Sequence, residues 1–185
     1  MSAGVGFAGA GAGALITAIY PGTYDPVTNG HLDIIRRAAS IFDRVVVGVV
    51  REPHHKVPLF AVDERVDFVR EALTEVSNVE VDVFAELVVA FARRWEAKVI
   101  VKGLRVISDF EWEFQMNQLN RHLAPEIETV YVMASPLHSF ISSSGVKEIA
   151  EFGGNVDELV PKAVARRFRE LHPQGRPGAP VSPQE

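Results

Sequence analysis

Five valines in seven residues, in the run Arg44–Val50, constrain this chain more than any other feature. Such a β-branched run suits a strand buried on both faces, and such strands belong to parallel sheets covered by helices on each side. The flanking sequence supplies that alternation. Leu15–Tyr20 is a short apolar run that Pro21-Gly22 is expected to stop. From His31, Leu32, Ile35, Ala39 and Phe42 recur at helical spacing. Asp63–Val76 is helical, with acids where the helix dipole favours them. Val79–Phe84 alternates as a strand, Leu87–Trp95 predicts a short helix and Lys98–Val101 a short strand. Ser108 and Glu111 have capping-box spacing and predict a helix running to about Leu123. Glu128–Met133 is a fifth strand, and Ser142–Phe152 and Val156–Leu171 are the last helices. The predicted class is α/β: a Rossmann-like, doubly wound sheet of about five parallel strands with helices on both faces.

Composition narrows the function. The 185 residues contain 47% hydrophobic and 23% charged side chains, as a packed domain requires, and no cysteine. Disulfides, thiolate zinc sites, iron–sulfur clusters and a cysteine nucleophile are therefore excluded. A formal net charge of −5 argues against general adhesion to nucleic acid or an anionic membrane, so neither is expected as a partner. Residues 1–13 are almost all Gly, Ala and Ser, without the cationic start of a signal peptide, and predict a flexible extension. Within them Gly4, Gly6 and Gly9 match a dinucleotide-loop pattern, but no strand precedes them and the match is read as coincidental. Residues 173–185 are rich in Pro and Gly and predict a disordered tail. The expected domain is a single one over 14–172.

Ligands of such sheets bind beyond the carboxyl ends of the strands. After the first strand, Pro21-Gly22 turns the chain, Thr23 offers a hydroxyl, Asn29-Gly30 permits close backbone approach, and His31 stands at a helix start where anions are attracted. After the second, Lys56 could reach a phosphate; the adjacent His54 and His55 lack a metal-site spacing, and no metal site is expected. After the fourth, Lys102-Gly103-Leu104-Arg105 places two cations at a strand mouth. After the fifth, Ser142, Ser143 and Ser144 open a helix, although capping needs only one of them. Candidate anion contacts on four successive strand mouths point to a highly phosphorylated substrate. Neither a Gly-x-Ser-x-Gly elbow nor a Walker A loop is present.

Thr28-Asn29-Gly30-His31 together with Ile141-Ser142-Ser143-Ser144-Gly145-Val146-Lys147-Glu148 resembles the double signature of the nucleotidylyltransferase superfamily. The longer motif Tyr20–His31, Lys102–Arg105, Asp109–Glu113 and Asn120-Arg121-His122 make the chain similar to the bacterial phosphopantetheine adenylyltransferases, from about Thr17 to Leu171. The resemblance implies reversible AMP transfer from ATP to 4′-phosphopantetheine. The products would be dephospho-coenzyme A and pyrophosphate, with Mg²⁺ carried by the nucleotide, in the penultimate step of coenzyme A synthesis. It implies direct in-line displacement, a cytoplasmic location, a homohexamer built as a dimer of trimers, and coenzyme A as a possible feedback ligand.

By motif match, His31, Lys102 and Arg105 would be catalytic. Thr23, Tyr24, His31, Gly103, Leu104, Arg105, Glu113, His138, Ser139, Phe140, Ile141, Ser142, Ser143 and Ser144 would bind ATP. Thr23, Lys56, Val88 and Lys102 would bind the acceptor. Three departures stand out: the loop before Leu59 is one residue longer than the family's, so His55 competes with Lys56 for the cation's place; His138 replaces an aromatic residue; and Gly145 replaces a larger apolar one, which is expected to loosen that helix start. The alternatives are another nucleotidylyltransferase, for example one acting on nicotinamide mononucleotide, and a non-catalytic nucleotide-binding protein. Length, acidity and the missing Lys-Met-Ser-Lys-Ser segment exclude an aminoacyl-tRNA synthetase.

Overall fold

The computed structural model describes residues 15–53 and 57–173. The readings of the extension over 1–13, of His54, His55 and Lys56, and of the tail beyond Pro173 fall outside the described residues. The elements run β1 (Thr17–Gly22), α1 (Asn29–Ile41), β2 (Arg44–Val50), α2 (Val62–Ala72), β3 (Val79–Phe84), α3 (Val88–Arg94), β4 (Val99–Leu104), α4 (Ile107–Leu123), β5 (Glu128–Met133), α5 (Ser143–Glu151) and α6 (Lys162–Leu171). All pairings are parallel and the strand order is β3-β2-β1-β4-β5. The chain winds outward from β1 to β3 and then returns to place β4 on the other side of β1.

Period-two geometry divides the strand side chains between two cores. Ala18, Tyr20, Val45, Val47, Val49 and Val101 pack with residues of α1, α2, α5 and α6. Ile19, Val46 and Ile100 face the other way, against Val89, Phe91 and Ala92 of α3 and the Ala124–Ile127 turn. The doubly wound sheet with helices on both faces is therefore present. Gly48 interrupts the valine run on the second face because Phe91 stacks there on Phe84, with ring centroids 4.5 Å apart. A Cβ at Gly48 would lie 2.4 Å from Phe91 Cε1.

Several boundaries differ from the sequence reading. Pro21-Gly22 do not stop β1; they continue it, paired with Gly48 and Val49. Pairing of β1 with β4 has its register at Ala18–Val99 and Ile19–Ile100, so the proline, which lacks an amide hydrogen, falls just beyond that ladder. β4 reaches Leu104 rather than Val101, which puts Lys102 and Gly103 inside the strand. Asn29 and Gly30 are already the first residues of α1, after the N-cap Thr28. α2 ends at Ala72, where the Thr74 hydroxyl competes for the Arg70 and Glu71 carbonyls. α6 begins at Lys162 rather than Val156, since Pro161 disfavours helix in the residue before it.

The Ser108–Glu111 capping box does not form. The N-cap is Val106, and Asp109 instead accepts the Arg105 amide at 3.1 Å. α4 also buries none of its residues, leaving Phe110, Trp112, Phe114, Leu119 and Leu123 exposed.

Candidate active site

Where β1 and β4 part, beyond the Ile19–Ile100 pair, the sheet opens at its carboxyl edge. This is the point at which the winding direction reverses. A cavity of about 460 Å³ lies there, walled by the end of β1 and its loop, the start of α1, the end of β4, the first turns of α4 and the start of α5. Gly103 permits the narrow floor, because a Cβ there would come 3.0 Å from the Tyr20 hydroxyl and 3.2 Å from Ile34.

His31 is the third residue of α1 and closes a reciprocal cap with Thr28. The Thr28 amide donates to His31 Nδ1 at 3.0 Å, and the His31 amide donates to Thr28 Oγ1 at 3.4 Å. An amide N–H can only donate, so Nδ1 is the acceptor nitrogen and the neutral ring carries its proton on Nε2. Burial, reinforced by the nearby Arg105 guanidinium, lowers the His31 pKa to about 4. At neutral pH the ring is thus an uncharged donor on the cavity wall. Tyr24 fixes it from one side, edge-on at 5.2 Å between centroids. The Tyr24 backbone is left-handed at φ 51, and its hydroxyl is spent on the Tyr20 carbonyl at 2.7 Å. The Tyr24 hydroxyl proton is therefore committed within the fold.

Among the described residues three cations line the cavity, each beside a carboxylate. Lys102 lies 3.0 Å from Glu113. Arg105 makes a fork to Asp109, through Nε to Oδ2 and NH2 to Oδ1, both at 3.1 Å, and its NH1 reaches the Ile141 carbonyl at 3.3 Å. Lys147 meets Asp25 at 2.5 Å. At Asp109, burial opposes ionisation, but the hydrogen bonds from Arg105 prevail and hold its pKa below the usual range.

The serines at α5 divide their work. Ser142 caps the helix, accepting the Gly145 amide at 3.0 Å, so the start is closed despite the glycine. Ser143 donates to the Pro26 carbonyl at 2.8 Å, a structural duty the sequence reading did not foresee. All three serines line the cavity, at a helix N-terminus where amides favour anions.

Of the residues expected to bind, Thr23, Tyr24, His31, Lys102, Gly103, Arg105, Glu113, His138, Ile141 and Ser142, Ser143 and Ser144 line this one cavity. Leu104, Ser139, Phe140 and Val88 do not line it. Leu104 is buried, Phe140 projects outward, Ser139 turns its hydroxyl to the Pro136 carbonyl, and Val88 packs against the α3-side core. Sequence reading assigned no role to Asp25, Asp109 or Lys147, which also line the cavity, or to Arg65 behind it. The first three lay within quoted motifs; Arg65 had no local signal.

Residues 19–149 match the family model described as cytidylyltransferase-like. The chain is 50% identical over 153 residues to the phosphopantetheine adenylyltransferase of Caldanaerobacter subterraneus subsp. tengcongensis, covering 83% of this chain and 95% of that one. It is 54% identical over 152 residues to that of Gloeobacter violaceus, covering 82% and 94%. A solved Vibrio parahaemolyticus structure, provisionally assigned as a nicotinate-nucleotide adenylyltransferase, shares the fold with a TM-score of 0.65 at 13% identity, over 85% of this chain and 93% of its own. With a cleft at the β1–β4 parting, a neutral imidazole in its wall and at least half of the aligned positions shared with these curated relatives, the chain belongs to the phosphopantetheine adenylyltransferase family.

Proposed function

We propose that the chain transfers AMP reversibly from ATP to 4′-phosphopantetheine, giving dephospho-coenzyme A and pyrophosphate by in-line displacement at the α-phosphorus. The observation that carries this reading is the convergence of His31, Lys102, Arg105 and the start of α5 on one cavity. A phosphate oxygen of the acceptor forms a bond to the α-phosphorus as the bond to the pyrophosphate oxygen breaks. A phosphate monoester is largely dianionic above its second pKa of about 6, so its oxygen is a competent nucleophile without a general base. The protein's task is alignment and charge stabilisation. His31 Nε2–H donates to a non-bridging oxygen of the α-phosphate as charge grows there. Arg105, held by Asp109, and the α5 amides take the β- and γ-phosphates, while Lys102 and Thr23 take the acceptor phosphate. Lys56 is assigned to that same phosphate from the motif alone.

Mg²⁺ would enter as the nucleotide's own counter-ion and neutralise phosphate charge. The cavity's donor set fits that role rather than a protein-held ion: Asp25, Asp109 and Glu113 each face a cation, and among the described residues no cluster of three candidate ligands occurs. Coenzyme A carries the same pantetheine arm and is expected to compete for this cavity. No helix among the described residues is long and apolar enough to cross a membrane, and the cytoplasm is the compartment proposed.

The test is pyrophosphate release with ATP and Mg²⁺, phosphopantetheine and nicotinamide mononucleotide being offered as competing acceptors. Release with phosphopantetheine is expected. Release with the mononucleotide alone would select a sister transferase, and no release above blank would leave a binding protein.

A homohexamer accounts for α4. A helix with no buried residue that exposes Trp112, Leu119 and Leu123 on one side and Phe110 and Phe114 on the other offers apolar surface suited to further copies of the chain. Light scattering is expected to give six times the 20.3 kDa chain mass, and Leu119→Glu to give a smaller species. A monomeric wild-type protein would refute the assembly.

A further inference from the structure

Asp25 joins three segments that leave different strands. It is only 5% exposed, in the loop after β1. Its Oδ1 accepts the Phe60 amide at 2.9 Å and its Oδ2 the Leu59 amide at 3.0 Å, both just before α2. The Lys147 ammonium of α5 reaches the same Oδ2 at 2.5 Å, across 122 residues of sequence. The adjoining Pro26 carbonyl takes the Ser143 hydroxyl of α5, so the β1 loop grips that helix twice.

The other two cavity cations are paired differently. Lys102 and Arg105 face acids of α4, the helix that follows β4. Lys147 alone among these three is held by an acid from a distant element. We propose that Asp25 is a positioning residue for adenylyl transfer: through Lys147 and the Leu59–Phe60 amides it fixes the nucleotide side of the cavity, at α5, against the acceptor side, at the β1 and β2 loops. The proposal rests on the adenylyl-transfer reading above.

In-line displacement depends on the two reactants' alignment, and a displacement of about 1 Å can cost about 100-fold in rate. An acid that sets the spacing between two subsites should therefore govern turnover more than the occupancy of either. A tether serving only the fold would govern stability and leave turnover alone.

The test is steady-state kinetics of Asp25→Asn, Lys147→Met and the double variant, beside thermal melts. Asn keeps a carbonyl oxygen for one amide but gives up the charge. Met keeps the aliphatic stem of Lys147. Each single variant is expected to lose about 10- to 100-fold in kcat, with KM for ATP and for phosphopantetheine within about threefold of wild type. The double variant should be no slower than Asp25→Asn alone, since a broken pair cannot be broken twice. Losses that multiply, or a lowered Tm with kcat within about threefold of wild type, would overturn the proposal. Should Asp25→Asn fail to fold, Lys147→Met decides alone: a loss in kcat at steady KM supports the proposal, and unchanged kcat overturns it. A wild type that releases no pyrophosphate ends the functional reading, and this proposal with it. An active wild type with an unaffected Asp25→Asn ends this proposal alone.

Discussion

His31→Ala is expected to lower kcat by about 100- to 1,000-fold, the usual cost of deleting one donor aimed at transition-state charge, while ATP affinity changes by less than about threefold. The geometry makes the expectation specific. The Thr28 amide occupies Nδ1 at 3.0 Å, so the ring's single proton is on Nε2. A donor placed for an oxygen that gains charge only during displacement contributes to kcat and little to ground-state binding. His31→Gln is the informative partner variant. Glutamine at this helix position can still accept the Thr28 amide as a capping box does, and its amide can donate in the ring's place, so partial recovery of kcat with an unchanged Tm is expected. Equal losses in kcat and in ATP affinity would reassign His31 to ground-state binding.

The same ring leaves a mark on stability. Its folded pKa of about 4 lies below the ordinary histidine value of 6.5, so between those pH values the unfolded chain binds more protons. This contribution to stability is present above pH 6.5 and declines as pH falls towards 4. His31→Gln should flatten the part of the urea-midpoint profile that falls in this window. Across pH 6–8 turnover should show no imidazole limb, only that of the acceptor phosphate.

What the sequence disclosed and what it concealed follow from the range of the forces involved. β2, β3 and β5 were read to the residue because their apolar patterns are local. The end of β4 is the part the sequence hides, because Lys102 and Gly103 look like loop residues; they belong to a strand whose end lines the cavity. The Ser108–Glu111 spacing misled because Arg105, four residues before Asp109, competes for the first turn of α4 and takes that carboxylate with three hydrogen bonds. His31, Lys102, Arg105 and the α5 serines, which the family motifs single out, line one cavity. The motifs give no hint that Lys147 finds Asp25 there, because that pair spans 122 residues and leaves no periodic trace.

Arg65→Met should cost about 3 kcal/mol and lower Tm by about 6–12 °C, because it orphans one buried and three part-buried carbonyl contacts at once. By sequence Arg65 is an unremarkable helix cation beside Glu64, yet it is only 1% exposed. Its Nε donates to the Phe60 carbonyl at 3.1 Å, NH1 to those of Thr23 and Val50 at 2.8 Å each, and NH2 to that of Arg51 at 3.0 Å. Among the described residues it has no carboxylate in ion-pair range; burial presses its pKa down, and the Asp25 charge opposes that. Backbone oxygens are thus the guanidinium's solvation shell, and the guanidinium is theirs. Its planar fork reaches four acceptors from one point, which an ammonium on a flexible stem cannot reproduce, so Arg65→Lys should recover only part of the loss. Urea and thermal unfolding of the three proteins measure this directly. A deficit for Arg65→Met below about 1 kcal/mol would mean that water replaces the guanidinium without cost. With the deficit confirmed, Thr23 and the end of β2 are held by one buried charge on α2, and that wall of the cavity is anchored in the core rather than on the surface.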